Sequence, residues 1–437
     1  MCNQGGEETG DGASAQRGVG GNAGGAHSDW RDDAVVREKE VSAPSDTSTQ
    51  PNPDDMEGGS GGTPAGTSPP DVTAAPEEVV VGSGEEPDPM DAVGRGRGPI
   101  DDTTDSNAKL VRVWYGTNRE PVDRADVSKG FTNERSVQGD AFFGSVVCRV
   151  PNSRPKGTLG SSWYRQLAKW QDDDITISEI EQLQEDALFA QLKEYLEESH
   201  RSERCVLVYI HGYKNSFERA ALRAAQLAVD LDVPGLTAFY SWPSKDAAGG
   251  YTADAASVEA SEKHVRRFLE RMLDESGADK VHVIAHSMGN RVMARVAQKL
   301  LEKPDRRFGQ IILAAPDVDA EAFEELALAY PRLSERTTLY VSKKDMALEA
   351  SNWVHDFPRA GYMPPVTVVP DIDTVEVTSI DVSMLGHGYA AECEQVLADI
   401  SGLLRHSVAP RERPNLRIMR NELGESFWTM DVPHPGH

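Results

Sequence analysis

The feature that most constrains the fold is a regular alternation of short apolar runs and longer amphipathic segments from residue 205 onward. The runs have five to seven residues, which suits buried strands, and each is followed by apolar side chains at helical spacing. Such alternation predicts an α/β fold, a mostly parallel sheet with helices on both faces. The six predicted strands are Val206–Ile210, Leu236–Trp242, Val281–Ala285, Gln310–Ala314, Thr337–Ser342 and Val375–Ile380.

Helical spacing of apolar residues predicts the elements between these strands. Two earlier segments, Leu110–Trp114 and Ala141–Val150, are rich in β-branched and aromatic residues and are predicted to be strands. The predicted helices are Ala187–Glu198, Phe217–Asp230, Ala255–Glu275, Met288–Leu301, Ala320–Ala329, Ala347–His355 and Tyr389–Leu404.

Residues 1–106 have a different composition from the remainder of the chain. They contain 22 acidic and 6 basic residues, and Trp30 is their only aromatic residue. Such a segment buries too little apolar surface to offset the entropy lost on ordering, so we expect a disordered tail that is dispensable for folding. The expected organisation is this tail, an α/β domain over residues 107–406 and a C-terminal extension over residues 407–437.

Charge and cysteine usage exclude several classes of function. A net charge of −26 argues against a nucleic-acid partner, because the chain repels phosphate backbones. The four cysteines show neither CxxC spacing nor a metal-binding pattern, so we expect no metal, and Cys148 and Cys205 are predicted to be buried thiols.

The sequence contains no segment that predicts a membrane-spanning helix. There is no run of 18 apolar residues, so no transmembrane helix is expected. We expect a cytoplasmic protein. The alternative is a lipid anchor on Cys2 at the cell envelope, which requires a true start further upstream, with the acidic tail as a surface tether.

The strand Val281–Ala285 leads directly into Ala285-His286-Ser287-Met288-Gly289, and a helix follows. The segment matches the nucleophile elbow, G-x-S-x-G, of α/β-hydrolases, with Ala285 in place of the first glycine. The five-residue string is common in itself, so the flanking strand and helix carry the prediction that Ser287 is a catalytic nucleophile. The structural alternative is a serine that caps a helix.

A serine hydroxyl is a poor nucleophile until a base takes its proton. His387 lies in a Gly-His-Gly segment between the last predicted strand and the last predicted helix, and we predict that it is this base. In α/β-hydrolases the chain order is Ser, acid, His. Asp345, after the second strand beyond the nucleophile, is the predicted acid. Asp317, after the first, is the alternative acid, and Asp381 is a third candidate.

Acyl transfer also needs an oxyanion hole with two backbone N–H donors. The amide of Met288, directly after the nucleophile, is the first predicted donor. The second is expected from the loop after Val206–Ile210, where His211 and Gly212 precede Tyr213, and we assign it to the amide of Tyr213. His211 is interpreted as a loop histidine without acid–base chemistry.

Six segments carry a resemblance to a known family: Val113–Arg119, Val208–Phe217, Phe239–Ser244, Ala285–Asn290, Ala314–Asp319 and Leu385–Tyr389. Together they resemble a bacterial family of esterase/lipase-like α/β-hydrolases whose members are largely uncharacterised. The resemblance extends from about Lys109 to Leu404. It implies hydrolase activity through Ser287, Asp345 and His387, and it implies no particular substrate.

These observations predict hydrolysis of a carboxylic ester in a small-molecule acyl substrate through an acyl-enzyme, without a metal or organic cofactor, and they leave the acyl-chain length open. Thioesterase, amidase and acyltransferase reactions use the same triad, so they stay open as alternatives. A catalytically inactive, tethered interaction protein is the alternative from another class, and the complete set of candidate triad residues argues against it.

Two residues near the motifs have open interpretations. Arg119 ends the segment Tyr115–Arg119 and is expected either to form a structural ion pair or to bind an anionic group of the substrate. Trp242 is expected either to line the substrate pocket or to pack in the core.

Overall fold

The computed structural model describes residues 100–101, 107–154, 156–157, 174–247, 249–302, 305–342, 357–377 and 390–430. The strands are β1 (Ile100–Asp101), β2 (Ala108–Thr117), β3 (Arg119–Pro121), β4 (Phe131–Arg135), β5 (Phe142–Pro151), β6 (Thr176–Leu183), β7 (Cys205–Ile210), β8 (Leu236–Ser241), β9 (Lys280–His286), β10 (Phe308–Ala314), β11 (Ser334–Ser342), β12 (Asp373–Val377), β13 (Leu416–Arg420) and β14 (Ser426–Met430).

The helices are α1 (Glu185–Glu198), α2 (Phe217–Asp230), α3 (Tyr251–Ala260), α4 (Glu262–Glu275), α5 (Gly289–Leu300), α6 (Ala320–Ala327), α7 (Tyr330–Leu333) and α8 (Ala390–His406). Of the predicted acidic tail, only Ile100–Asp101 is described, and this pair of residues forms a short strand against β2. The predictions for the rest of the tail with Cys2, and for the helix Ala347–His355, concern residues outside this description.

Twelve of the described strands form one sheet, and β3 and β4 form a separate hairpin. Eight neighbouring strands, in the order β14, β12, β11, β10, β9, β7, β8, β2, pair in parallel. Antiparallel strands extend both edges, β5 and β6 beyond β2 and β13 beyond β14. The prediction of a mostly parallel sheet is confirmed.

Helices cover both faces of this sheet, as the alternating pattern predicts. The side chains of Val206 and Val208 in β7 point to one face, where α1, α4 and α5 pack. Leu207 and Tyr209 point to the other face, where α2 and α8 pack. Every residue of β7 is buried because both of its faces are covered, and this explains why its sequence is continuously apolar.

The register of the parallel strands brings three strand ends together. Ile210 at the end of β7 pairs with Ala285 in β9, and Ala314 at the end of β10 pairs with His286. The loops that follow β7, β9 and β10 therefore leave the sheet side by side. This edge, at the carboxyl ends of parallel strands, is where open α/β sheets bind their ligands.

The predicted helix Ala255–Glu275 is wrong as a single element. It is two helices, α3 and α4, separated by a turn at Ser261. The Ser261 hydroxyl donates to the Ser257 carbonyl at 2.8 Å and accepts from Asn118 Nδ2 at 3.0 Å. A serine that bonds back to the preceding turn bends a helix, and here the contact with Asn118 fixes the bend.

The segment after α8 is tied to the sheet by a buried arginine. Arg413 Nε donates to Asp399 Oδ1 at 2.9 Å, and its Nη2 group contacts the other oxygen of Asp399. The same Nη2 group donates to the Tyr340 hydroxyl at 3.2 Å. The side chains of Arg413 and Asp399 are only 1% and 5% exposed, so the ion pair depends on these partners rather than on water.

Replacing this arginine is expected to destabilise the fold strongly. Arg413→Met leaves the Asp399 carboxylate buried without its cation, and we expect the free energy of unfolding to fall by about 3–5 kcal/mol. Arg405→Met is the matched control because Arg405 pairs with a largely exposed Asp232, and its cost is expected to stay below about 1 kcal/mol. Urea denaturation of both variants measures the difference. Equal losses would contradict the assigned role of Arg413.

Candidate active site

Ser287 lies in a tight turn between β9 and α5. Its φ is +47°, a left-handed conformation that costs a non-glycine residue on the order of 1–3 kcal/mol. The Ser287 N–H donates to the Ala314 carbonyl at 2.9 Å, and the Asn290 N–H donates to the Ser287 carbonyl at 3.0 Å. These bonds hold the strained turn, which has the strand–turn–helix geometry of a nucleophile elbow.

The side chain of Asn290 closes this turn from within. Its Nδ2 donates to the Ala285 carbonyl at 3.0 Å and to the Ser287 carbonyl at 3.1 Å, and the residue is fully buried. Asn290 was not identified from the sequence as a supporting residue. The signal that could have identified Asn290 is its position as a polar residue in the first turn of the otherwise apolar face of α5.

Two glycines allow the elbow to contact the loop after β7. A Cβ on Gly289 would lie 2.6 Å from the His211 carbonyl oxygen, and a Cβ on Gly212 would lie 2.8 Å from Ser287 Cβ. Both distances are shorter than side chains tolerate, so any larger residue would push the loop away from the serine. Ala285, by contrast, is a fully buried strand residue, and its methyl group is accommodated.

The loop between β7 and α2, residues 211–215, carries the second predicted oxyanion donor, Tyr213. Asn215 Nδ2 donates to the carbonyls of Gly212 at 3.2 Å and Tyr213 at 3.0 Å. The Asn215 N–H donates to Ser244 Oγ at 3.1 Å. The loop is thus held by its own asparagine and by the segment after β8. Met288, the first predicted donor, lies directly before α5.

His211 is buried against Trp242, with ring centroids 4.8 Å apart. Its Nδ1 lies 2.8 Å from the Gly212 carbonyl oxygen, and its Nε2 lies 3.5 Å from Arg119 Nη2. Burial, together with the Arg119 charge, lowers the pKa of His211 to about 3. The imidazole is therefore neutral at physiological pH, which agrees with a role outside acid–base chemistry.

Trp242 packs in the core rather than lining an open pocket. It is fully buried, and its Nε1 donates to the His211 carbonyl at 2.7 Å. This bond fixes the first residue of the loop that follows β7. Of the two sequence interpretations of Trp242, packing is the one that describes its position.

Arg119 is fully buried at the start of β3 and binds mostly neutral groups. It donates to Ser241 Oγ at 2.9 Å through Nε, to the Ser244 carbonyl at 3.1 Å through Nη1 and to the Asn215 carbonyl at 2.8 Å through Nη2. Burial lowers the pKa of Arg119 to about 9, against the attraction of Glu218 and other acidic groups. No carboxylate of the described residues lies within ion-pair distance of Arg119, so the expected structural ion pair is absent there. Because the guanidinium is fully buried, it also cannot contact an anionic group of the substrate.

A buried carboxylate, Asp254 of α3, completes the support of this loop. It accepts from the Ser244 hydroxyl at 2.5 Å, from the Lys245 N–H at 2.7 Å and from the Lys214 N–H at 3.3 Å. Neither Ser244 nor Asp254 was identified from the sequence, because nothing in the spacing of residues 244 and 254 shows that they meet.

Asp317, the alternative acid, is buried beside the elbow. Its N–H donates to the Ser287 carbonyl at 3.2 Å. Its carboxylate accepts from the Tyr251 hydroxyl at 2.7 Å and from Arg291 Nη2 at 3.4 Å, and Arg359 Nε lies 3.5 Å from its other oxygen. Among the described residues, two guanidinium groups and a phenol thus lie at this carboxylate.

The structure brings Ser287, Met288, Tyr213 and Asp317 to one edge of the sheet. The predicted base His387, the predicted acid Asp345 and the third candidate Asp381 lie outside the described residues. Within the described ranges, no group of His, Cys, Asp and Glu side chains could hold a metal ion. No helix in that part of the chain is long and apolar enough to cross a membrane.

The fold and the elbow define an α/β-hydrolase. The model of the family described as "Alpha/beta hydrolase of unknown function (DUF900)" matches residues 184–405, just over half of the chain, and the chain belongs to that family. The resemblance inferred from the sequence motifs is thereby confirmed. No curated protein matches the chain.

Several solved structures of hydrolases are distantly similar. An esterase from Pyrobaculum calidifontis is 12% identical over 47% of this chain and 78% of its own, with a TM-score of 0.28. A putative cell surface hydrolase from Lactobacillus plantarum is 11% identical over 49% and 96%, with a TM-score of 0.32. A bacterial heroin esterase is 13% identical over 69% and 85%, with a TM-score of 0.31. These likenesses are too distant to bear on activity.

Proposed function

We propose that this protein is a serine hydrolase that cleaves a small carboxylic ester through an acyl-enzyme. The observation that carries the proposal is the left-handed conformation of Ser287 at the turn between β9 and α5. A strained residue persists only where its surroundings enforce it, and such strain concentrates at active sites. A serine that merely capped a helix would have an extended backbone, not a φ of +47°.

In the proposed reaction, His387 removes the proton of Ser287 Oγ as the oxygen attacks the ester carbonyl carbon. The amides of Met288 and Tyr213 stabilise the oxyanion of the tetrahedral intermediate. The intermediate collapses, the alcohol leaves with the proton from His387, and the acyl group stays on Ser287. Water then attacks the acyl-enzyme with His387 again as base, which releases the carboxylic acid.

Asp345 is the acid that we propose to orient His387 and to stabilise its charged form. The contacts of Asp317 support this choice, because its carboxylate already faces Arg291, Arg359 and the Tyr251 hydroxyl. A carboxylate held by two arginines suits a structural role near the elbow. Cytoplasmic location and tethering by the acidic tail remain proposals from the sequence.

A substrate panel tests the proposed activity. The purified protein should hydrolyse p-nitrophenyl esters of short acyl chains, with release of one acid and one p-nitrophenol per turnover. Matched thioesters and p-nitroanilides of the same acyl groups separate esterase from thioesterase and amidase activity. Folded protein that turns over none of the esters would contradict the proposal. Faster turnover of the thioesters than of the esters would identify the protein as a thioesterase instead.

A further inference from the structure

The segment Tyr115–Arg119 has no part in the proposed chemistry, although Arg119 is among the largest fully buried side chains. A buried cation costs free energy unless its hydrogen bonds are satisfied, so its partners indicate what it stabilises. Two of them, Asn215 and His211, lie at the two ends of loop 211–215. A third, Ser244, also accepts from the Asn215 N–H through its hydroxyl.

The contacts of His211 fix which ring nitrogen carries its proton. The guanidinium of Arg119 has only donors, so His211 Nε2 faces it as an acceptor. The Gly212 carbonyl has no donor, so the proton lies on Nδ1 and is donated to that carbonyl at 2.8 Å. The charge of Arg119 therefore favours the one neutral tautomer that can bond to the Gly212 carbonyl.

The Gly212 carbonyl belongs to the same peptide group as the N–H of Tyr213. In a trans peptide these two groups point in opposite directions. The carbonyl is held by His211 Nδ1 and by Asn215 Nδ2, and Arg119 contacts both of these residues. The hydrogen bonds to the Gly212 carbonyl, which points away from the Tyr213 N–H, thus fix the direction in which that N–H points.

We propose that Arg119 is a positioning residue that aims the Tyr213 amide at the oxyanion, acting through His211 and Asn215. This inference rests on the proposed serine hydrolase function. Arg119 does not touch the substrate, since it is buried behind the loop. Its loss should weaken binding of the transition state and leave binding of the ground-state ester almost unchanged.

Kinetics of Arg119→Met and Arg119→Lys test the proposal on an ester that the parent hydrolyses. Loss of an oxyanion donor lowers kcat by roughly 10²–10³-fold, so Arg119→Met should lower kcat by about 10²-fold with KM changed less than about threefold. Arg119→Lys keeps the charge but lacks the planar guanidinium, and its kcat should be about tenfold lower than that of the parent. The inhibition constant of a trifluoromethyl ketone, which forms an oxyanion on the serine, should rise by the same factor as kcat/KM falls.

A double-mutant cycle separates a positioning role of Arg119 from general damage to the fold. If Arg119 acts through His211, the double variant Arg119→Met/His211→Phe should be no worse than the poorer single variant. Arg413→Met controls for loss of a buried arginine, and its folded fraction should keep the parent kcat. Should Arg119→Met fail to fold, Arg119→Lys and His211→Phe provide the same comparison.

An effect confined to KM, a trifluoromethyl ketone affinity that does not change, or losses that multiply in the double variant would overturn the role of Arg119. A parent enzyme that hydrolyses esters while the Arg119 variants retain full kcat would overturn this inference alone. A folded parent without any hydrolase activity would instead overturn the proposed function and this inference with it.

Discussion

Ser287→Ala is expected to lower kcat on an activated ester by roughly 10⁴–10⁶-fold, because the residue that forms the acyl-enzyme is lost. The fold should be retained, since the hydroxyl is the only group removed and the bonds that hold the turn come from the backbone and Asn290. Steady-state hydrolysis of a p-nitrophenyl ester measures the effect.

Ser276→Ala is the matched control for this variant. Ser276 is as buried as Ser287, but its hydroxyl donates to the Met272 carbonyl at 2.6 Å at the end of α4. Its replacement should leave kcat within about twofold, because it loses only this hydrogen bond and the one that Ser276 Oγ accepts from the Ala278 N–H at 3.2 Å, and both affect stability only. Equal kcat in Ser287→Ala and the parent would remove Ser287 from the mechanism.

The second large effect separates the two candidate acids. Asp345→Asn should lower kcat by about 10³–10⁴-fold, because the base loses the partner that fixes its tautomer. Asp317→Asn should act mainly on stability, since it leaves Arg291 and Arg359 beside a neutral amide. A lost buried charge partner costs on the order of 3–5 kcal/mol.

Thermal unfolding and kinetics of both variants give the comparison. We expect Asp345→Asn to have a strongly reduced kcat and the unfolding temperature of the parent. Asp317→Asn should unfold at a lower temperature, and its folded fraction should keep kcat within about tenfold of the parent value. If Asp317→Asn is folded but inactive while Asp345→Asn turns over normally, Asp317 is the catalytic acid.

The central sheet could be predicted from sequence because its strands are buried on both faces. In β7 this burial leaves a continuous apolar run, Cys205–Ile210, and in β10 it leaves the apolar run Ile311–Ala314. The edge strands escaped prediction for the opposite reason. Four of the five residues of β13 are exposed, and β6 is mostly exposed or half-buried, so neither carries a distinct apolar pattern.

The helix break at Ser261 shows the same limit in another form. Periodicity continues across α3 and α4, so the sequence predicts one helix. What separates the two is a contact between Ser261 and Asn118, which are far apart in the chain. Local patterns contain no information about such a partner.

In the candidate site, the elbow and the loop that carries Tyr213 could be predicted from the sequence, whereas the groups that support them could not. The string around Ser287 identifies a turn between strand and helix, because small residues and flanking periodicity are visible in the sequence. The supporting groups are not visible in this way. Arg119 was expected to form an ion pair or to bind an anionic substrate group, yet several of its partners are backbone carbonyls, which every residue has.

Covalent labelling with a fluorophosphonate tests the central claim most directly. A fluorophosphonate phosphonylates the oxygen of an activated serine and leaves a stable adduct, which intact mass and peptide mapping can locate. The assignment of Ser287 as the nucleophile predicts one adduct per chain on the peptide that contains Ser287, in the parent and in Ser276→Ala, and none in Ser287→Ala. An adduct on a different residue, or a folded parent that hydrolyses esters without being labelled at Ser287, would contradict it.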